Sequence, residues 1–244
     1  MLPDPITGAA ALAKNSAKKL LLDIIDHCHS QLVLFDLDST LLDNRPRSAY
    51  IMREFAAERN LPLLAEATPE HFPTWSAHNS MRLLGLTESD ANQIIDGYLE
   101  FWASRFFTSD YCSLDVPING AVNFVRAVHR AGGIVTYLTG RDETMRAGTL
   151  SSLEKHGFVL SGTEQSYLIM KSEAEISDDD YKKNALQKIV QRATVAAAFD
   201  NEPTHINSYR EVFPDSICVH LDTDHSMRHV RLLPGIVSIS DFEH

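Results

Sequence analysis

The sequence predicts an α/β protein with a doubly wound parallel sheet and an inserted all-helical segment. Short apolar runs rich in β-branched and aromatic residues alternate with helical patterns along most of the chain. Such alternation is typical of a parallel sheet with helices on both faces. Ligands of these sheets bind at the carboxyl ends of the strands. Polar residues that directly follow a strand are therefore the first candidates for function.

The strands and helices of the core follow one another in a Rossmann-like order. Strands are predicted at residues 31–35, 133–138, 167–170, 194–199 and 216–220. An amphipathic helix over residues 10–29 precedes the first strand. Helices are predicted between the strands at residues 117–131, 143–156, 179–192 and 203–212. The first begins with a proline suited to the first turn, and the first two end at glycines.

The inserted segment covers residues 44–116, which contain helical patterns and no strong strand candidate. Its helices are expected at residues 47–59, 75–84 and 88–107. The segment leaves the core after the first strand and returns before the second. Residues 1–43 and 117–244 should therefore form the catalytic core, with residues 44–116 as a helical cap. The cap's aromatic residues are expected to form its interior: Phe101, Trp102, Phe106 and Phe107.

Composition and charge exclude several classes of function. The chain has 22 Lys and Arg against 33 Asp and Glu, and its net charge of −11 works against loose binding to nucleic acid or anionic membranes. The three cysteines form no CxxC pair, which argues against a disulfide framework or zinc site and favours a reducing cytoplasm. The apolar tract at residues 20–25 contains Asp23 and is too short to span a bilayer, so neither a membrane segment nor a signal peptide is expected. The oligomeric state stays open.

Two aspartates follow the first predicted strand, in the stretch LVLFDLDSTLLD at residues 32–43. Side chains alternate along an extended chain, so Asp36 and Asp38 lean to the same side. At about 4 Å and an effective dielectric constant of about 20, two such anions repel by roughly 4 kcal/mol and raise each other's pKa. A cation must offset this repulsion. Mg2+ prefers oxygen ligands and is the usual partner of such a site when phosphate is the substrate.

Polar residues also follow two other predicted strands. In VTYLTGRD, Thr139 and Gly140 place a hydroxyl group and an unhindered amide at the same sheet edge, where they could hold a phosphoryl oxygen. Arg141 and Asp142 come next and are assigned no chemistry. In VAAAFDNEP, Asp200 emerges directly after the strand.

Taken in order, these stretches resemble the motifs of the haloacid dehalogenase superfamily. FDLDSTLLD resembles its first motif in the DxDxT form of the phosphatases, VTYLTGRD its second and VAAAFDNEP its fourth. The resemblance implies that Asp36 is the nucleophile that becomes an aspartyl phosphate. It implies that Asp38 is the general acid and base. The dehalogenase branch lacks an acid at this second position, so Asp38 favours phosphoryl chemistry.

The resemblance also implies an active-site lysine and a magnesium site. Lys182 in DDDYKKNALQKIV is favoured, because it shares a helix face with the apolar residues that should pack on the sheet. Lys183 and Lys171 remain alternatives. Mg2+ would be held by the carboxylates of Asp36 and Asp200 and the backbone carbonyl of Asp38. Glu202 would act through a metal-bound water or have no role.

The function expected from these features is that of a magnesium-dependent phosphohydrolase acting on a small phosphorylated metabolite. A phosphotransferase or phosphomutase of the same superfamily remains the enzymatic alternative. A non-catalytic relative that binds a phosphorylated ligand or a protein is the other alternative. The histidine-containing stretches at residues 27–29 and 220–229 are interpreted as a helix end and a polar loop. Arg45 and Arg47, just after the first motif, could meet an anionic substrate.

Overall fold

The structure, a computed structural model, describes residues 11–160, 162, 165–172 and 176–244. Six parallel strands form one sheet in the order β5-β4-β1-β6-β7-β8, and two short strands, β2 and β3, form an antiparallel pair. In chain order the strands are β1 (Leu32–Phe35), β2 (Leu42–Asp43), β3 (Val116–Pro117), β4 (Ile134–Asp142), β5 (Ser166–Lys171), β6 (Val195–Asp200), β7 (Ile217–Leu221) and β8 (Val237–Ile239).

Helices cover both faces of the large sheet, which confirms the predicted doubly wound Rossmann-like core. The helices are α1 (Lys14–His27), α2 (Arg45–Arg59), α3 (Pro62–Ala65), α4 (Ala77–Leu83), α5 (Glu88–Phe106), α6 (Ala121–Arg130), α7 (Arg146–His156), α8 (Asp178–Ile189) and α9 (Pro203–Val212). Helices α1 and α6 contribute to the apolar cluster on one face. Helices α8 and α9 contribute to the cluster on the other.

The central strand β1 is buried along its whole length because it supplies side chains to both clusters. Val33 and Phe35 belong to the cluster of α1 and α6, whereas Leu34 belongs to that of α8 and α9. This alternation follows from the two-residue period of a strand. The ring of Phe35 stacks on Phe199 of β6 at 5.0 Å between centroids, and Phe124 of α6 packs edge-on against both. Strand β1 is thereby fixed just before the first motif begins.

Two features of the core differ from the sequence predictions. The helix predicted from residue 117 begins at Ala121, because Pro117 pairs with Leu42 in the antiparallel strands instead. Gly120 turns the chain into this helix with φ of 76°, and a Cβ there would lie 2.4 Å from the carbonyl oxygen of Phe242. Strand β8 was not predicted. It has three residues, too few to show a periodic pattern.

The inserted segment is helical and has an apolar cluster of its own, drawn from α2, α4 and α5. The last of these helices begins as the sequence indicates, since the hydroxyl of Thr87 accepts a hydrogen bond from the Asp90 amide at 3.1 Å. Phe101 lies within this segment against Phe55, at 5.3 Å between ring centroids. The division of the chain at residues 43/44 and 116/117 stays a prediction. The antiparallel pair of β2 and β3 lies where the inserted segment begins and ends.

Within the part of the chain that the structure describes, no helix is both long enough and apolar enough to cross a membrane. Cys28, Cys112 and Cys218 are buried and free.

Removing the ring of Phe124 should weaken the core without touching the site. Phe124→Ala should lower the free energy of unfolding by about 3–5 kcal/mol, because a fully buried ring leaves a cavity between α6 and the sheet. Urea denaturation followed by circular dichroism measures this loss. Leu22→Ala, at a 41% exposed position of α1, is the control and should change stability by about 0.5 kcal/mol or less. Equal losses in both variants would contradict this packing.

Candidate active site

Asp36 and Asp200 lie next to each other because their strands are neighbours. Phe35 pairs with Phe199 in the parallel ladder, so the residue that follows each strand reaches the same sheet edge. The ammonium group of Lys182 contacts both carboxylates, at 2.8 Å from Asp36 Oδ1 and 2.6 Å from Asp200 Oδ2. The side chains of all three residues are almost completely buried. We call Asp36, Asp200 and Lys182 the carboxylate–lysine trio.

The three candidate lysines have different surroundings. Lys182 enters the site from the buried face of α8, whereas Lys183, the next residue, is exposed. Lys171 lies at the end of β5 and donates to Asp178 Oδ1 at 2.7 Å and to the carbonyl of Ile176 at 3.2 Å. Among the described contacts, only Lys182 reaches Asp36. Lys182, the lysine that the helix-face argument favours, thus lies beside the first motif, and its role in catalysis stays a prediction.

The trio has an excess of negative charge. Burial raises the pKa of Asp36 to about 7, with Lys182 opposing the rise and Asp200 adding to it. Burial acts the same way on Asp200, but Lys182 and His205 outweigh it and hold the pKa of that carboxyl well below its usual range. His205, which the sequence reasoning missed, lies with Nδ1 3.6 Å from Asp200 Oδ1. A single ammonium group thus offsets the negative charge of two carboxylates.

Asp38 faces a different set of partners. The guanidinium of Arg141 donates to it twice, from Nε to Oδ2 at 2.8 Å and from Nη2 to Oδ1 at 2.7 Å. Arg47 Nη2 adds a third bond at 3.0 Å. Burial tends to raise the pKa of Asp38, but the two arginines outweigh it and hold that pKa well below its usual range. Asp38 is therefore ionised in this arrangement.

Asp115 completes an arginine–aspartate network with Asp38, Arg47 and Arg141. Arg47 donates to both oxygens of Asp115 at 2.8 Å, and Arg141 donates to Oδ2 at 2.7 Å. Arg47 begins the inserted segment, Asp115 ends it, and Arg141 belongs to the core. Sequence reasoning missed Asp115 and assigned no chemistry to Arg141. The position of Arg141 directly after Thr139 and Gly140, at the same sheet edge, was the available signal.

Thr139 and Gly140 lie at the end of the regular part of β4. The buried hydroxyl of Thr139 accepts a hydrogen bond from the Arg141 amide at 3.2 Å and keeps its own proton to donate. Gly140 lines the cavity beside Asp36. A Cβ at Gly140 would lie 2.5 Å from Asp178 Oδ2, so a larger residue here would require that carboxylate to move.

The threonine of the DxDxT stretch holds the fourth motif in place. Thr40 Oγ1 accepts from the Asn201 amide at 3.0 Å and donates to Asn201 Oδ1 at 3.2 Å. Glu202 lines the cavity, but its carboxylate is already engaged by neighbouring groups. Ser226 donates to it from both its hydroxyl, at 2.8 Å, and its amide, at 3.1 Å, and Arg228 Nε donates at 3.2 Å.

The loop interpreted as polar, within residues 220–229, reaches the site from the side. Asp224 Oδ2 accepts from the hydroxyl of Ser39 at 2.9 Å and from the indole of Trp75 at 3.1 Å. The amide of Trp75 also donates to the His225 carbonyl at 3.3 Å. Because Trp75 belongs to the inserted segment, these bonds connect that segment to the core.

A cavity of about 390 Å³ lies between the inserted segment and the strand ends. Trp102, Phe106 and Phe107 line it, which corrects the expectation that these aromatic residues serve only as the interior of the cap. An apolar pattern predicts that a side chain is sheltered from water, but it does not distinguish a core from a cavity wall. Asp36 and Lys182 line the opposite, polar end.

The two carboxylates of the trio and the nearby backbone carbonyl implied by the resemblance suit a hard divalent cation. In the described residues, no group of three or more His, Cys, Asp and Glu side chains is arranged to hold a metal ion. The set implied by the resemblance is different, because it comprises two carboxylates and the backbone carbonyl of Asp38. These ligands are all oxygen atoms, which Mg2+ prefers. The Asp38 side chain is not part of this set, since it is turned to the arginines.

A family model described as HAD superfamily, subfamily IIIB (acid phosphatase), matches residues 113–200. That range contains Thr139, Lys182 and Asp200 but begins after Asp36 and Asp38. No curated protein matches the chain.

Solved structures of hydrolases share the fold at low sequence identity. A HAD-superfamily hydrolase of subfamily IA, variant 1, from Geobacter sulfurreducens PCA superposes with a TM-score of 0.54 at 11% identity, covering 87% of this chain and 92% of that chain. A candidate haloacid dehalogenase-like hydrolase from Bacteroides fragilis gives 0.51 at 13% identity, covering 87% and 97%. The fold of this chain is thus the one that these hydrolases have. The family model and the order of the motifs make the chain similar to proteins of the haloacid dehalogenase superfamily.

Breaking the arginine–aspartate network should cost far more stability than breaking an exposed pair. Arg47→Met should lower the free energy of unfolding by about 3–5 kcal/mol, because it leaves Asp115 buried without two of its hydrogen bonds. Arg146→Met removes a similar fork from Glu143, whose side chain is 46% exposed, and should cost about 1 kcal/mol or less. Urea denaturation of both variants tests the difference, and comparable losses would contradict it.

Proposed function

We propose that the protein is a magnesium-dependent phosphohydrolase that cleaves a small phosphomonoester through an aspartyl phosphate on Asp36. The observation that carries this proposal is the carboxylate–lysine trio at the ends of two adjacent parallel strands. Burying two carboxylates around one cation carries a desolvation cost, and groups perturbed in this way beside a cavity cluster at functional sites. Such a group of residues is suited to receive a dianionic phosphate together with a divalent cation.

The nucleophile in this proposal is Asp36, which lines the cavity and is held by Lys182 through one oxygen, Oδ1. The carboxylate would attack phosphorus in line with the leaving alcohol, forming an acyl phosphate, and water would then attack phosphorus and regenerate the carboxylate. Asp36 and Asp200, with the backbone carbonyl of Asp38, would hold Mg2+. The bound ion would neutralise charge on the transferred phosphoryl group. Lys182 would add a second positive charge.

Thr139 and Gly140 would bind phosphoryl oxygens beside the nucleophile. The Thr139 hydroxyl has a proton free to donate because its oxygen accepts from the Arg141 amide. The absence of a side chain at Gly140 lets the backbone approach the substrate closely. The inserted segment lies across the cavity from these groups and would exclude bulk water from the first displacement.

Asp38 is the proposed acid and base, and its surroundings make that role demanding. An ionised carboxylate has no proton to give, and Arg141 and Arg47 stabilise the ionised form. The role therefore requires that proton transfer to the leaving alcohol compete with these two guanidinium contacts. A substitution that separates acid catalysis from arginine positioning is the direct test.

Replacing Asp36 should abolish phosphate release. With Mg2+ and a panel of phosphomonoesters, Asp36→Asn should lower kcat by about a thousandfold or more, because the amide is a poor nucleophile. Acid-quenched reactions with a 32P-labelled ester should label the wild-type protein but not this variant. Asp26→Asn, at an exposed position of α1, is the control and should retain activity.

Removing the metal should have the same effect. EDTA should abolish activity, and added Mg2+ should restore it. Activity that persists both in EDTA and in Asp36→Asn would overturn the proposed mechanism. Transfer of phosphate to added glycerol rather than to water would identify the phosphotransferase alternative.

Asp38→Asn should reduce activity in a way that depends on the leaving group. An alkyl phosphate needs a proton on its leaving oxygen and should lose about a hundredfold or more in kcat, whereas 4-nitrophenyl phosphate should lose about tenfold or less. Asp115→Asn is the matched control, since it perturbs the same two arginines without touching the leaving group. Equal losses for both esters in Asp38→Asn would show that Asp38 only positions the arginines.

A further inference from the structure

The cavity above the carboxylate–lysine trio has two unlike ends. The polar end holds Asp36 and Lys182. The other end belongs to the inserted segment, which lines it with large apolar side chains and with polar ones such as Ser48 and Thr74. We call it the aromatic end and define it by Trp75, Leu99, Trp102, Phe106 and Phe107.

The side chains of the aromatic end are unusually exposed for their size. Trp75 is 50% exposed, Leu99 44% and Phe107 50%. All three line the same cavity, so the apolar surface that they leave in water is contiguous with the proposed active site. A ligand that covers this surface would gain apolar burial that the chain alone does not achieve.

The rings of the aromatic end pack against one another. Trp102 stacks on Phe106 with centroids 4.4 Å apart, and Phe107 stands edge-on to Trp102 at 5.2 Å. The guanidinium of Arg47 covers one face of Phe106 at 4.1 Å. Rings in such a group prefer offset or edge-on contact with another ring, so the geometry favours a planar guest over a branched one.

The cavity offers no spare positive charge for a second anionic group on the substrate. Within the described residues, every Lys and Arg that lines the cavity contacts a carboxylate. Arg45 forms a fork with Asp43 at 2.8 and 2.7 Å, and Lys171 contacts Asp178 at 2.7 Å. The other three are the cations of the trio and of the arginine–aspartate network. A carboxylate or second phosphate on the substrate would therefore meet paired cations and additional acidic residues such as Asp224.

From these observations we propose that the substrate is a phosphomonoester of an uncharged alcohol carrying a planar aromatic group, which binds against the aromatic end. This inference rests on the proposed phosphohydrolase function and narrows its substrate class. The phosphate lies at the trio, and the aromatic group lies between the inserted segment and the strand ends. Sugar phosphates and esters with a second anion are poorer substrates.

Four esters of primary alcohols test the proposal, because their leaving groups are alike: benzyl phosphate, cyclohexylmethyl phosphate, glycerol 3-phosphate and phosphoglycolate. Burial of one ring should give benzyl phosphate a kcat/KM about 10- to 100-fold above that of glycerol 3-phosphate. Cyclohexylmethyl phosphate should fall between them, and phosphoglycolate should be the poorest. Calorimetric titration should show benzylphosphonate binding more tightly than 2-hydroxyethylphosphonate, independently of turnover.

Variants at the rim show whether the aromatic end causes the preference. Phe107→Ala should lower kcat/KM for benzyl phosphate about fivefold and change that for glycerol 3-phosphate by less than about twofold, since the exposed ring contacts only the aromatic guest. Phe107→Tyr should retain the preference. Leu63→Ala, 49% exposed on the inserted segment but outside the cavity, is the control and should change neither value.

The outcomes separate the two proposals. Equal kcat/KM for all esters, a preference for phosphoglycolate, or a uniform loss in Phe107→Ala would overturn the aromatic substrate class while leaving the phosphohydrolase intact. Binding of benzylphosphonate without release of phosphate from any ester would overturn the phosphohydrolase function instead.

Discussion

The site depends on one buried ion cluster, in which the ammonium group of Lys182 lies between the carboxylates of Asp36 and Asp200. Removing two carboxylates from water costs free energy, and their attraction to a single ammonium group offsets only part of that cost. The parallel pairing of β1 and β6 enforces the arrangement, because it brings their carboxyl ends to one place. Helix α8, which packs on one face of the sheet, supplies the ammonium group of Lys182. The polar cluster is therefore a product of strand order.

A second cluster determines how the inserted segment meets the core. Arg47 and Asp115 lie at the two ends of that segment, and Arg141 joins them to Asp38 in the first motif. The same bonds therefore serve both packing and chemistry. They hold the segment against the core, and they fix the charge of a carboxylate beside the proposed nucleophile.

The parts of the site that could be predicted are those that follow from strand topology. Asp36 follows β1, Thr139 lies where the regular part of β4 ends, and Asp200 ends β6, and a parallel sheet brings these positions together. The bond between Arg141 and Asp38 joins residues 103 positions apart, and nothing local in the sequence records it. Asp115 was missed for the same reason, since its partners are long-range side chains. Trp102 and Phe107 were predicted to form the interior of the cap, but an apolar side chain can equally form the wall of a cavity, and the sequence does not distinguish the two.

The short antiparallel pair of β2 and β3 has an architectural consequence. The chain leaves the core at Asp43 and comes back at Val116, and these two residues face each other in the ladder. The polypeptide therefore enters and leaves the inserted segment at one point, while Arg47, Trp75 and Asp115 join the segment to the core through their side chains. A different segment inserted at that point would leave the six-stranded sheet continuous, but it would have to replace the hydrogen bonds that Arg47 and Asp115 make with Asp38 and Arg141.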